Sequence, residues 1–588
     1  MAAAEAFLGV DRSFGDRRWS ARAVDDRLAL LLAQRLDQPE IIGRILAGRG
    51  IAPEAVERFL SPSLRADLPD PSSLMDMDVA VERIVAAIER GETIAVFGDY
   101  DVDGATSGAL LARYFNAIGA CYVTYIPDRM TEGYGPNLPA LERLQGGGAG
   151  LVITVDCGTT AFEALTGAHA NDLDVIVVDH HVAEPALPPC AALVNPNRLD
   201  DTSGCGQLAA VGVTFLLIVA LNRALRRCGF FTKRPEPDLM AYLDLVALGT
   251  VCDVVPLTGL NRALVTQGLK VMARRNNVGL CALADIAGVK ERPGTYHAGF
   301  LLGPRVNAGG RVGQSDLGIR LLTTLDPTEA QEIAETLDRH NAERRAIESM
   351  VLEDAIETVE ASADAVAAIA AGAGWHPGVI GIVASRLRER YNRPAFVISL
   401  EDGLGKGSAR SVPGIDLGAL VTAAKQAGLL VNGGGHRMAA GFTVEEARLD
   451  AFRDFVAERL SSNGEGEMVA ELGLDGALAI GAATPEMTAI LDRAGPFGAG
   501  NPEPRMAFPA VKLIRAAPVG ENHLSCVFSG ADGGRLEGIS FRSRDTGLGQ
   551  SLLAHVGRPI HVAGRLRLDS WQGRERIKLH IDDAAAAT

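Results

Sequence analysis

Ile94-Ala95-Val96-Phe97-Gly98-Asp99-Tyr100-Asp101-Val102-Asp103-Gly104 is an apolar run that ends in an acidic turn. Consecutive apolar residues without polar alternation predict a strand covered on both faces. The turn spaces three carboxylates two residues apart, where they repel one another at neutral pH. A cation relieves such crowding, and hard cations such as Mg²⁺ and Mn²⁺ take oxygen ligands. A calcium-binding EF-hand is excluded. Its loop needs a glutamate at position twelve, where this chain has Leu110, and a helix in front, where this chain has a strand.

Three further apolar runs, Tyr122–Ile126, Leu151–Val155 and Asp174–Val178, alternate with helix-like segments between Val81 and Asp253. This pattern predicts a parallel sheet, and such sheets bind ligands beyond the carboxyl ends of their strands. Asp99, Asp156 and Asp179 each follow one of these runs and so converge on one edge. Directly behind Asp179 stand His180 and His181. One imidazole can bind a transition metal while the other donates to a phosphoryl oxygen. A helical stretch from Leu239 ends in Gly249-Thr250-Val251-Cys252-Asp253. Taken singly, Asp156 reads as a helix cap and Asp253 as a helix-end acid; taken together, these residues read as a metal centre.

Farther out, Asp326-Pro327-Thr328-Glu329 reads as an N-cap, a first-turn proline and a capping-box acid. No glycine or proline follows until Gly372. A helix of about 35 residues within this run would reach ~50 Å, suited to joining two bodies. Its apolar stripe is too ragged for a coiled coil. Beyond it, Val366–Leu460 again looks α/β. From about Val469 the chain looks mainly β, consistent with a five-stranded oligonucleotide-binding (OB) barrel. Gly405-Lys406-Gly407-Ser408 lacks the spacing of a Walker A loop, which disfavours an NTPase.

The bulk numbers agree with a multidomain globular protein. The chain has 588 residues, 47% apolar and 22% charged. Its longest mostly apolar stretch, Leu208–Leu221, is too short to span a bilayer, and no secretory signal is evident. Eight cysteines without a Cys-x-x-Cys pair suggest reduced thiols, a cytoplasmic setting and no zinc site. The net charge is -16, yet Val511–Thr588 carries eleven Lys/Arg against eight Asp/Glu, a weak sign of a polyanionic partner.

The motifs Asp101-x-Asp103, Asp156, Asp179-His180-His181 and Asp253, in this order, resemble those of the DHH phosphoesterase superfamily. Within it, the whole chain is similar to the bacterial single-strand-specific 5′→3′ exonucleases. The likeness extends to Gly303-Pro304-Arg305-Val306-Asn307-Ala308-Gly309-Gly310-Arg311, Gly405–Ser411, Gly433-Gly434-Gly435-His436 and Gly495–Pro502. Gly309 departs from the alanine common in relatives.

The resemblance implies an α/β fold of two α/β domains, a DHH parallel-sheet domain and a DHH-associated domain, joined by a long helix and followed by an OB-fold β-barrel. Expected boundaries are 1–80 for an N-terminal segment packing on the catalytic core, 81–325 for the DHH domain, 326–361 for the helix, 362–462 for the DHH-associated domain and 463–588 for the barrel. It implies two divalent ions, Mn²⁺ or Mg²⁺, held by Asp101, Asp103, Asp156, His180 and Asp253, with Asp99 as a further ligand. The imidazole favours Mn²⁺. His181, Arg305 and Arg311 would offset phosphoryl charge. Ser408, Arg410 and Arg129 would capture a 5′-phosphate, with Asn307, Gly434, Gly435 and His436 as further contacts, and Tyr134 would stack on a base.

The expected partners are single-stranded DNA and, by resemblance, single-strand-binding protein and a RecQ-type helicase; the expected state is a monomer with no membrane association. The alternatives are a DHH enzyme for short oligonucleotides or cyclic dinucleotides, and a non-catalytic replication scaffold.

Overall fold

The acidic turn closes the second of eighteen strands in a computed structural model that describes residues 5–128, 131–362, 366–461, 469–571 and 574–587. The chain opens with β1 (Arg17–Ala21), α1 (Asp26–Leu36), α2 (Glu40–Gly48) and α3 (Met77–Arg90). Next come β2 (Thr93–Gly98), α4 (Val102–Ile118), β3 (Tyr122–Tyr125), β4 (Ala149–Val155), β5 (Asp174–Val178) and β6 (Ala192–Val194). These strands form an all-parallel sheet in the order β3-β2-β4-β5-β6. Ile94, Ala95, Val96 and Phe97 are fully buried. Ile94 and Val96 enter one apolar cluster, with α4, while Ala95 and Phe97 enter another, with Leu141 and Leu165. Period-two alternation thus serves two cores at once. The sequence reading missed β6, whose three residues are too few to stand out as a run.

The same body continues through α5 (Ala210–Arg227), α6 (Leu243–Cys252), a π-helical segment His297–Leu302 and α7 (Gly303–Val312). The predicted rod is α8 (Pro327–Ala361), and Asp326 Oδ1 accepts from Thr328 N as its cap. The capping box does not close. Thr324 Oγ1 takes the Asp326 amide and donates to Glu329, so Glu329 is turned away. Ala330, Ile333, Ala334 and Leu337 of α8 pack into the first body, and Val351 and Ala355 into the next. Its two ends therefore belong to different cores.

That next body consists of β7 (Ala368–Ala373), α9 (Ile380–Tyr391), β8 (Ala395–Glu401), β9 (Leu404–Arg410), α10 (Leu417–Gln426), β10 (Asn432–His436) and β11 (Ala439–Glu445). The sheet order is β10-β11-β9-β8-β7. After β12 (Ala470–Leu474) and β13 (Gly476–Ala477), five strands form the barrel: β14 (Met506–Val519), β15 (His523–Ser529), β16 (Arg535–Ser540), β17 (Pro559–Trp571) and β18 (Arg574–Ala586). Pairing of β14 with β17 closes the ring and removes its edges.

The N-terminal segment corrects one expectation. Leu64, Leu74 and Met77 join the catalytic core, but Leu32, Ile41, Ile42, Ile45 and Leu46 of α1 and α2 are buried in the barrel's cluster. β1 also pairs in parallel with β12, and buried Trp19 donates to Asp583 Oδ2 at 3.0 Å. An amphipathic helix announces that one face is buried, not what buries it.

Candidate metal centre and phosphate pocket

β2, β4 and β5 run parallel and end together, so Asp99, Asp156 and Asp179 emerge on one edge. Asp101 Oδ1 caps α4 by accepting from Asp103 N at 2.8 Å and Gly104 N at 3.1 Å. Asp103, in the first turn of α4, accepts from Ala210 N at 2.7 Å and Val211 N at 3.0 Å, the first amides of α5. Two helix N-termini thus favour negative charge here. Asp156 has φ 61°, a conformation that costs a non-glycine residue energy and recurs at functional sites.

Two glycines permit the approach of the remaining parts. A Cβ on Gly249 of α6 would lie 2.3 Å from Thr106 Oγ1 and 3.0 Å from Asp103 Oδ1, so only glycine lets α6 deliver Asp253. A Cβ on Gly310 of α7 would lie 2.8 Å from Tyr100 O, so α7 presses directly on the acidic turn. Asn307 of α7 secures that contact, its Oδ1 accepting from Val102 N at 3.1 Å.

The resulting ligand atoms fall into three sets, each within 4.8 Å: Asp99, Asp101 and Asp156; Asp103, His180 and Asp253; Asp156, His180 and His181. His180 Nε2 is 3.4 Å from Asp156 Oδ1 and 3.6 Å from Asp253 Oδ2. All three atoms are buried without a hydrogen bond. Buried polar atoms are ordinarily satisfied, so three that converge fit a shared cation. Five carboxylates and an imidazole match Mn²⁺ or Mg²⁺ in donor type.

Burial and the neighbouring carboxylates push Asp103 and Asp156 well above the usual carboxylate range. Burial, then Asp101, pushes Asp253 up to about 7. Without a cation, these acids compete to stay ionised.

Asp179 behaves differently. Its oxygens accept from the amides of Thr159, His180 and His181 and from His181 Nδ1. It is therefore a support for the histidines rather than a ligand. Burial opposes protonation of His181, but this bond to Asp179 raises it to about 9. Burial, then His181, lowers His180. Tyr134 donates to Asp156 O at 3.2 Å and sets its ring edge-on to His181 at 6.1 Å.

A second feature is linked to this cluster through α7, whose Arg311 lines it. Lys406, Ser408 and Arg410 alternate with buried Gly405, Gly407 and Ala409 along β9, so they share its open face. With Arg311, Gly378 and Gly381 they line a cleft of about 470 Å³. Arg410 Nη1 lies 3.2 Å from Ser408 Oγ, and Arg311 donates to Gly378 O at 2.8 Å. Burial, then Arg388, lowers Arg410. Three cationic side chains in one cleft suit a phosphate. The lining from Pro377 to Gly381 went unread in the sequence. Its signal was the Pro377-Gly378 pair just before α9 and Gly381 in the first turn of that helix.

Residues 93–250 match the DHH family, N-terminal domain, residues 363–462 the DHHA1 domain, and residues 474–583 the RecJ OB domain. The single-stranded-DNA-specific exonuclease RecJ of Dickeya dadantii (strain 3937) is 36% identical over 567 residues, 92% of this chain and 96% of the relative. The chain belongs to the RecJ family.

Solved RecJ structures agree. The crystal structure of RecJ from Thermus thermophilus in complex with Mn²⁺ matches with a TM-score of 0.80 and 31% identity, covering 96% of this chain and 79% of that one. Its counterpart with Mg²⁺ matches with a TM-score of 0.75 and 30% identity, covering 96% and 78%. The RecJ fold does not bring every expected residue to the site. Arg305 Nε bonds Asp338 of α8 at 2.8 Å and its Nη1 bonds Leu301 O. It braces α7 against α8, which corrects its expected place at the phosphoryl group. Gly434, Gly435 and His436 lie on the edge strand β10, where His436 is two strands from Arg410. Arg129 lies outside the described residues. Among the described residues, no helix is long and apolar enough to cross a membrane.

Proposed function

We propose that this chain is a single-stranded-DNA-specific exonuclease that cuts the 5′-terminal phosphodiester and releases 5′-mononucleotides. One observation carries this reading. Asn307 touches the acidic turn, while Arg311, one turn later on α7, lines the phosphate cleft. That turn spans ~6 Å. A strand whose terminal phosphate rests against Arg311, Ser408 and Arg410 therefore presents its first linkage to the carboxylates.

In this reading Asp99, Asp101, Asp103, Asp156, His180 and Asp253 would hold two divalent ions. Bound there, Mn²⁺ or Mg²⁺ would supply an acidified water and offset charge on the leaving 3′-oxygen. His181, oriented by Asp179, donates to a non-bridging phosphoryl oxygen and offsets its charge. Arg311 and Arg410 hold the terminal phosphate and thereby the line of attack. Tyr134, tethered to Asp156 O, borders the first base. The barrel supplies sequence-tolerant contact with the rest of the strand. The division at 325, 361 and 462, the monomeric state, a cytoplasmic setting with eight free thiols, and association with single-strand-binding protein and a RecQ-type helicase complete the proposal.

Digestion of 5′-labelled single strands, duplexes and dinucleotides with Mn²⁺ tests it. Single strands should be degraded to mononucleotides, and Asp156→Ala should lose on the order of 10³-fold in rate while still binding DNA. Preference for dinucleotides, or full turnover by Asp156→Ala reloaded with metal, would refute the reading.

A further inference from the structure

Two aromatic rings on the helical segment leading into α7 have no part in the mechanism above. Tyr296 is 57% exposed and Phe300 71% exposed. Their rings stack on each other, with centroids 5.5 Å apart and planes 23° from parallel. A pair of large rings held in solvent is informative where a scattered leucine is not. The segment is pinned in place. His297 Nδ1 accepts from Gly294 N at 2.9 Å, and its Nε2 lies 3.1 Å from Glu291.

The pair is continuous with the proposed active site. Cys252, the neighbour of Asp253, donates its thiol to Ala298 O, and a Cβ on Gly299 would lie 3.3 Å from Val251 Cγ1. The end of α6 that carries Asp253 therefore packs directly on the aromatic segment. The helical segment then runs without a break into α7. Along it, Tyr296, Phe300, Pro304, Asn307 and Arg311 are accessible, whereas Ala298, Leu302, Gly303 and Val306 are buried. One face thus leads from the rings, past the Asn307 contact with the acidic turn, to Arg311 in the phosphate cleft. Phe300 and Arg311 are separated by roughly 15 Å along the axis.

We propose that Tyr296 and Phe300 form a stacking platform for a base of the substrate strand beyond the first nucleotide on the 3′ side of the cut. This rests on the nuclease reading, which puts the terminal phosphate at Arg311 and so directs the remaining strand toward the other end of the face. Every base has a π-face, so the platform is indifferent to sequence. Bases inside a duplex are already stacked on both faces, so the platform favours single strands.

The test compares the full-length parent with Phe300→Ala, Phe300→Leu, Phe300→Trp and Tyr296→Ala/Phe300→Ala, using 5′-phosphorylated dinucleotides and long single strands with Mn²⁺. Loss of one stacked base should raise KM on long strands about ten-fold. Turnover number and dinucleotide cleavage should be unchanged, and Phe300→Trp should behave as the parent. 2-Aminopurine scanned along the strand should be quenched at one downstream position by the parent and not by Phe300→Leu. Unaltered KM on strands of every length would overturn the proposal and leave the rings as a protein-docking surface. Equal losses on dinucleotides and long strands would overturn it in favour of a structural role. A parent that degrades no single strand would sink the nuclease reading itself, a result distinct from an active parent with unaltered variants.

Discussion

Asp179 Oδ1 lies 2.8 Å from His181 Nδ1, and the same oxygen accepts from the amides of His180 and His181. One carboxylate therefore sets the backbone and ring orientation of the DHH motif at once. Such supporting bonds typically contribute ten- to hundred-fold to a site's performance. Asp179→Asn should lower kcat by about that factor and leave KM for single strands nearly unchanged. Steady-state kinetics with Mn²⁺ would check this; a loss confined to KM would contradict it.

Arg410 shares its cleft with Ser408, Lys406 and Arg311. A charge-assisted hydrogen bond contributes about 1.5–3 kcal/mol. Arg410→Ala should therefore reduce the preference for 5′-phosphorylated over 5′-hydroxyl strands about ten-fold or more. Competition between the two labelled ends measures this, and equal losses on both would count against the assignment.

Asp253 is pushed up to about 7 by burial and by Asp101, so its ionised form is penalised in protein stripped of metal. Asp253→Asn removes that penalty and also a proposed ligand. In EDTA at pH 8 the variant should melt above the parent. Under saturating Mn²⁺ the order should reverse, since a ligand at a hundred times its Kd stabilises by about 2.7 kcal/mol. Thermal melts in the two buffers decide the matter.

Asp244, near the start of α6, is 3% exposed and is raised to about 6 by burial, against its bond from Leu245 N. A folded-state value above the unfolded one means that stability is greatest at low pH and falls as pH rises through about 6. Asp244→Asn should remove that slope. Its advantage over the parent should be about 2–3 kcal/mol at pH 7.5, narrow at pH 5 and vanish near pH 4. Denaturant midpoints across this range would show a constant gap if Asp244 were not responsible.

Much of the site was legible because its residues stand at strand ends. The runs that became β2, β4 and β5 were visible, and once they are taken as parallel neighbours their following acids must meet. Arg305 and Arg311 were not distinguishable in this way. They sit six residues apart on α7, which puts them on different sides of the helix. Arg305 meets Asp338 of α8, and Arg311 meets Gly378 of the opposite body. No local signal separates them, because the difference is made by what packs on each side.

The order of residues was enough to set the elements and the chemistry: strands buried on both faces, a capped rod of 35 residues, and carboxylates and imidazoles spaced to hold metal. Packing decided that α1 and α2 lie against the barrel, that Asp179 bonds the histidines of its own motif, and that α7 links the acidic turn to the cleft beside β9. Strand and helix patterns follow from local sterics and from which side of an element is apolar. Contacts between bodies depend on which surfaces meet, and that is set by packing among residues hundreds of positions apart.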